Sequence, residues 1–314
     1  MNKPLFTIAI PAYNRLNYLK EAVNSVLNQS FENFELIIVD DCSTEDVWDY
    51  LLSLKDERVK IFRNPVNLGL VCNWRRCIEE ASGKWFKFLM ADDVMFKDSL
   101  FILNNIINKY PDNKVIVTSG IDFKDIKEVE NYLNTENRNP DITDKFLIPM
   151  EQIICLRKRF IQTWAMPNSY TLLADDLKEL IKSPQYKEVE RNLGKTGHCV
   201  DYYILYAIAT KYNTMFEMDF PLYGVRNHET NLSKTYSDNL LYHLNGDKYI
   251  HSMLYDYKGL EKIYFVKHAF KIYFNKIVSN KKSLFSPQFF KWTSQLIVFL
   301  FQHTFGVKVK LDYD

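Results

Sequence analysis

Short apolar runs alternate along this chain with stretches whose apolar residues fall three and four apart, and that alternation limits the fold more than any other feature. LFTIAI (5–10), FELIIVD (34–40), RVKIF (58–62), KWFKFLM (84–90) and KVIVTSG (114–120) read as buried strands. Helical spacing fills 16–29, 45–54, 70–81 and 98–109; Leu19, Val23, Val26 and Leu27 show it in the first of these. Pro11 stops the first strand, and Gly83 separates the third helix from the fourth strand. Strands alternating with helices build an α/β domain, a mostly parallel sheet flanked by helices on both faces. Ligands in such sheets sit beyond the carboxyl ends of the strands.

Three of those carboxyl ends carry polar residues: Tyr13-Asn14, Asp40-Asp41 and Asp92-Asp93. The last pair closes the apolar stretch FKFLMADDV (86–94), where adjacent like charges repel. A hard divalent cation, Mg2+ or Mn2+, removes that repulsion and commonly bridges carboxylates to phosphate oxygens. The alternative is that Asp93 caps a helix beginning near Val94 while Asp92 is solvated. Asp41 likewise either caps a turn or accepts a hydrogen bond from a base or ribose, with Tyr13 stacking on the base. Neither GxGxxG nor GxxxxGK[ST] occurs, so dinucleotide and P-loop cradles are not indicated.

Beyond residue 120 the alternation weakens. Residues 121–150 read as a polar loop, 151–160 as a helix, TWAMPNSY (163–170) as a loop, and 174–182 and 199–211 as helices. From about 235 the chain turns helical and rich in Lys, Tyr and Phe. Lys258, Lys262, Lys267, Lys271, Lys276, Lys281 and Lys282 lie among aromatics there, ahead of Phe285, Phe289, Phe290 and Trp292. Such a region suits peripheral contact with an anionic membrane surface, or a homodimer contact. With 47% hydrophobic residues the chain can fill a core, and a net charge of +1 gives no general reason to bind nucleic acid. Five Cys without a CxxC pair read as reduced thiols in a cytoplasmic protein. The first residues lack a secretory apolar core, and LIVFLFQHTFGV, broken by Gln302 and His303, is too short to span a membrane.

Taken together, TIAIPAYNR, LKEAVNSVLNQSFENFELIIVDDCST, NPVNLGL and GKWFKFLMADDV resemble the N-terminal half of an inverting family 2 nucleotide-sugar glycosyltransferase with the GT-A, Rossmann-like fold. The resemblance runs over residues 4–110 and is of the bacterial surface-polysaccharide type. It implies a catalytic domain over 1–235, with a nucleotide-binding half (1–110) and an acceptor half (111–235), and a C-terminal helical extension over 236–314. It places Pro11, Ala12, Tyr13, Asp41 and Asp92 on the nucleotide, Asp41 on the base, and Asp93 on the metal. Met90 stands where longer forms of the Asp motif have another Asp, which implies weaker metal dependence.

In the second half, GHCVDYYILYAIA (197–209) resembles the family's catalytic segment, with Asp201 as general base and Val200 where a Glu often stands. Asp175 and Asp176 are the competitors. YGVRNHETNLS (223–233) resembles the segment that supplies His228 to the metal and Arg226 to the diphosphate. Trp164 and Asn168 fall where similar enzymes build the acceptor pocket. The resemblance implies transfer from a UDP- or dTDP-linked donor to a hydroxyl of a glycan or lipid-linked glycan, in the cytoplasm or on the inner membrane face. A non-catalytic glycan-binding protein on the same fold is the alternative from another class. A sugar-phosphate nucleotidyltransferase is disfavoured because PAYNRLNY (11–18) has no glycine.

Overall fold

The computed structural model describes residues 3–134, 146–147, 166–194, 197, 200–212, 215–229, 270, 273 and 287–305. The elements are β1 Phe6–Ala12, α1 Leu16–Leu27, β2 Phe34–Asp40, α2 Val47–Ser53, β3 Val59–Arg63, α3 Leu70–Glu80, β4 Trp85–Phe88, β5 Val94–Met95 and α4 Ser99–Lys109. They continue as β6 Val115–Phe123, α5 Glu130–Asn134, β7 Phe146–Leu147, β8 Tyr170–Leu173, α6 Ala174–Leu180, α7 Pro184–Leu193, α8 Val200–Ala209, β9 Met215–Arg226 and α9 Pro287–Phe305.

Contacts divide the chain into two units, Met1–Gly197 with Ile204–Asn227, and His198–Tyr203 with His228–Asp314. The boundary expected near 235 lies outside the described residues, as do the helix at 151–160 and the seven lysines from Lys258 to Lys282.

In the first unit, β3-β2-β1-β4-β8-β6-β9-β5 form one sheet, with β7 on β9. The first four strands are parallel, as their apolar content requires, and every residue of β1 and β2 is buried. The second half departs from the expected pattern. β8 inserts antiparallel between β4 and β6, and β5 adds antiparallel to β9, so the sheet is mixed there. Residues Tyr170–Leu173 and Met215–Arg226 are strands that the sequence did not announce. Val94–Met95 is a strand and the next helix starts at Ser99, so Asp93 does not cap a helix beginning at Val94. The core lies between the sheet and helices α1 and α4, whose Leu19, Ala22, Val23 and Val26, and Leu100, Leu103 and Ile106, point inward at helical spacing.

The amino ends of the parallel strands are fastened by a buried carboxylate. Glu35, 3% exposed, accepts from Thr7 Oγ1 (2.5 Å), Lys60 Nζ (2.7 Å), Ser82 N and Oγ (2.6 Å each) and Gly83 N (2.9 Å). Gly83 must lack a side chain, because a Cβ there would lie 2.6 Å from Thr7 N. In the second unit, Trp292, Leu296 and Phe299 of α9 pack with Tyr273, while Phe290, Ile297 and Val298 face outward. Among the described residues no helix is long and apolar enough to cross a membrane.

Burial by itself raises the Glu35 pKa, but the bonds from Lys60, Ser82 and Thr7 outweigh it and hold the carboxyl at about 2, against an ordinary 4.5. A depressed carboxyl stabilises the fold above its unfolded pKa and loses that contribution as pH falls through the folded value. Glu35→Ala is expected to cost about 3 kcal/mol in urea unfolding at pH 7. The gap between wild type and variant should narrow as pH falls from 4.5 towards 2. An equal gap at pH 7 and pH 3 would contradict it.

Candidate active site at the carboxyl ends of the central strands

Because β3, β2, β1 and β4 are parallel neighbours, the loops after them share one edge of the sheet. Pro11 and Ala12 end β1 and are buried, and Tyr13 beyond them is 46% exposed. Asn14 and Arg15 both take left-handed backbones, with φ of 55° and 60°. Non-glycine residues pay roughly 1–2 kcal/mol each for that conformation. Hydrogen bonds to the neighbouring loop hold the turn. Asn14 N donates to Ser43 Oγ (2.7 Å), Asn14 Oδ1 accepts from Thr44 N (2.8 Å), and Leu16 N donates to Glu45 Oε2 (3.0 Å). The turn carries the Arg15 guanidinium to Asp92, where Nη1 meets Oδ2 at 2.7 Å.

Asp40 and Asp41 divide their work. Asp40 is wholly buried; its Oδ1 accepts from Ser43 N (3.0 Å) and its Oδ2 pairs with Arg63 Nε at 3.2 Å. Asp41, 3% exposed, organises the next loop: Oδ1 accepts from Asn64 Nδ2 (2.8 Å) and Leu68 N (2.9 Å), and Oδ2 from Gly69 N (2.9 Å). Asn64 also bonds Asn73, which returns to the Val39 carbonyl. The carboxylate expected on a nucleotide base therefore also holds the β3–α3 loop in place.

Asp93 is buried as well, at 3% exposure. Its Oδ1 accepts from Arg226 N (2.8 Å) and its Oδ2 from Asn168 Nδ2 (2.5 Å). Burial, and then the Asp92 charge beside it, push its pKa well above the usual carboxylate range. Asn168, expected in an acceptor pocket, is fully buried beneath Asp93 and also accepts from Met90 N at 2.9 Å. Arg226, expected on a diphosphate, is 4% exposed. Its Nε donates to the Asp92 carbonyl (3.0 Å), its Nη2 pairs with Glu21, and its guanidinium lies 4.6 and 4.5 Å from the Tyr18 and Phe123 rings.

Lys87 went unnoticed in the sequence. It is fully buried in β4, donates from Nζ to the Asn168 carbonyl, and lies 5.3 Å from the centre of the Tyr223 ring. Burial lowers its pKa to about 7. A lysine inside WFKFLM, an otherwise apolar strand, was the available signal. Asp201 lies in the first turn of α8, half-buried, and belongs to the second unit, as does His228. Trp164 lies outside the described residues. Asp176 is held by Tyr212 Oη (2.5 Å) and Lys211 Nζ (3.2 Å).

Among the described residues no group of three His, Cys, Asp or Glu is gathered as a metal cage. Mg2+ and Mn2+ are nonetheless commonly held by one or two carboxylates with substrate phosphates completing the shell. Asp92 and Asp93 supply adjacent carboxyl oxygens of that kind, with Asp93 buried and Asp92 partly open.

A sequence profile described as Glycosyl transferase family 2 matches residues 7–173. An uncharacterized glycosyltransferase of Haemophilus influenzae is 30% identical over 209 residues, 63% of this chain and 81% of that protein. TuaG of Bacillus subtilis, a glycosyltransferase provisionally placed in teichuronic acid biosynthesis, is 39% identical over 100 residues, 31% of this chain and 40% of its own length. Among solved structures, S. aureus TarS 1-349 in complex with UDP-GlcNAc has a TM-score of 0.63 at 18% identity, covering 95% of this chain and 81% of that one. The mannosyltransferase PcManGT from Pyrobaculum calidifontis, in complex with GDP-Man and Mn2+, has a TM-score of 0.55 at 13% identity, covering 98% and 89%. These likenesses fix the fold as GT-A.

Asp41→Ala removes the acceptor for Asn64, Leu68 and Gly69 together. It is expected to lower stability by about 2 kcal/mol and to open the 64–69 loop to limited proteolysis. Unchanged stability and cleavage would show that the loop is held by other means.

Proposed function

The chain belongs to glycosyl transferase family 2, and from that premise we propose that it moves a sugar, with inversion, from a nucleotide-diphosphate donor to a hydroxyl of a surface glycan or lipid-linked glycan. The observation that carries this is the meeting of Tyr13, Asp41, Asp92 and Asp93 along one edge of the parallel strands. Pro11, Ala12 and Tyr13 line the base, Asp41 accepts its N–H, and Asp92 faces the ribose. A UDP or dTDP donor is preferred; the TarS complex with UDP-GlcNAc supports UDP, while the GDP-Man complex of PcManGT keeps the choice experimental.

Asp93 would hold Mg2+ or Mn2+, which when bound neutralises charge on the departing diphosphate; His228, expected as a further ligand, belongs to the second unit. Arg226 serves the diphosphate by fixing the Asp92–Asp93 turn through its main chain and guanidinium. Arg15, beside Asp92 and about one-third exposed, would offer a guanidinium to the phosphates. Asp201 takes the proton of the acceptor hydroxyl as it attacks. Its place at the start of α8, followed by buried Tyr203, Ile204 and Leu205, supports that role through the helix dipole and a sheltered setting.

The outward Phe290, Ile297 and Val298 with Lys291 support peripheral binding to an anionic membrane by the C-terminal region, where a lipid-linked acceptor would be met. A role in polysaccharide biosynthesis is consistent with TuaG's placement in teichuronic acid biosynthesis.

Two experiments test these assignments. In a thermal-shift screen of UDP, dTDP, GDP, ADP and CMP with and without Mn2+, a uridine or thymidine diphosphate should raise the melting temperature, more so with Mn2+, and Asp93→Asn should remove the Mn2+ increment. Asp201→Asn should keep the nucleotide shift yet cut sugar transfer by about a thousandfold or more. Turnover retained in that variant moves the base elsewhere. Glycan binding without turnover in the wild type would make the protein a binding module.

A further inference from the structure

We propose that Lys87 is a positioning residue for the Asp93 carboxylate, acting through Asn168. The inference rests on the assignment of Asp93 to the cation and diphosphate.

Lys87 sits in a strand whose neighbours Phe86 and Phe88 are buried with it, so its ammonium has been taken fully out of water. An unpaired buried cation is costly, and no packing demand calls for one, since methionine would fill a similar volume. The amine has a specific acceptor, the backbone carbonyl of Asn168. The Tyr223 ring closes its other side, and that ring is itself confined, because a Cβ at Gly120 would collide with it.

Asn168 is thereby fixed at three points. Its carbonyl is held by Lys87, its Oδ1 by Met90 N (2.9 Å), and its Nδ2 by Asp93 Oδ2 (2.5 Å). The same peptide is held at its other edge, where Ser169 N donates to the Met166 carbonyl at 2.8 Å, as does Ser169 Oγ. Arg226 N holds the other oxygen of Asp93. The carboxylate plane is therefore set from two sides, and each oxygen keeps lone-pair capacity for a ligand. Without the Lys87 bond that peptide keeps only its Ser169 N anchor, and its tilt, with the amide that aims Asp93, is set less tightly.

Calorimetric titration of the full chain with UDP, dTDP and GDP, with and without Mn2+, tests this. Lys87→Met should keep the melting temperature within a few degrees and leave metal-free nucleotide affinity unchanged. It should weaken the Mn2+-dependent affinity about tenfold or more, as loss of an outer-shell partner does. Lys87→Gln, which can still donate to the carbonyl, should recover most of it. Lys87→Met should add nothing in an Asn168→Ala background, because Lys87 reaches Asp93 only through the Asn168 side chain that this background lacks. A folded Lys87→Met with wild-type Mn2+-dependent affinity, while Asp93→Asn loses it, overturns the Lys87 role alone. An additive loss in the double variant does the same. Failure of Lys87→Met and Lys87→Gln alike to fold makes the residue structural and also overturns it. If Asp93→Asn is silent, or wild type shows no Mn2+-dependent binding, the assignment of Asp93 falls and this inference with it.

Discussion

Asp93 is a carboxyl group that the sheet has buried next to another, and polar oxygens so placed must be met by donors from elsewhere in the chain. Much of the site can be traced to that demand. Asp93 draws in Asn168 from the turn before β8 and the main chain of Arg226 at the end of β9. Arg226, buried in its turn, needs Glu21 from α1 and the rings of Tyr18 and Phe123. Asp92 recruits Arg15, which reaches it only through two consecutive left-handed residues. Exposed ion pairs are worth about 0–1 kcal/mol, whereas leaving one member of a buried pair alone costs about 3–5. Both pairs are part-buried, with one partner about one-third exposed in each; the difference is that Arg226 itself is buried and loses more if Glu21 is removed.

The parallel half was legible because its signals are local. β1 and β2 are continuous apolar runs, and β2 matches residues 34–40 end for end. α1, α3 and α4 fall within two residues of their expected limits, since amphipathic spacing marks their buried faces. The polar residues at the strand ends were visible for the same reason.

The other half was hidden by interactions that join distant segments. β8 has four residues and runs straight into α6, so it falls between the loop expected over 163–170 and the helix expected over 174–182. β9 contains Glu217, Asp219 and Pro221, and its pairing with β6 shifts register around Ser119, which destroys any period of two. The Ser183-Pro184 start of α7, capped by Ser183 Oγ accepting from Tyr186 N at 3.1 Å, was readable and was passed over. For the site, the residue types were readable but their partners were not. Arg226 looked like a phosphate ligand because nothing local reveals Glu21, and Asn168 looked like an acceptor contact because nothing local reveals Asp93.

The order of strands in the sheet also sets an order in time. β4 is finished at residue 88, yet the neighbour that covers its outer edge is β8, which ends at residue 173. During synthesis the nascent parallel half presents an open, apolar strand edge until that later segment emerges and slots in antiparallel. β6 waits longer still, since β9 arrives only by residue 226. While the chain is still being made, the half-sheet's edge is open to mispairing, and only the long-range pairings of β8 and β9 close it.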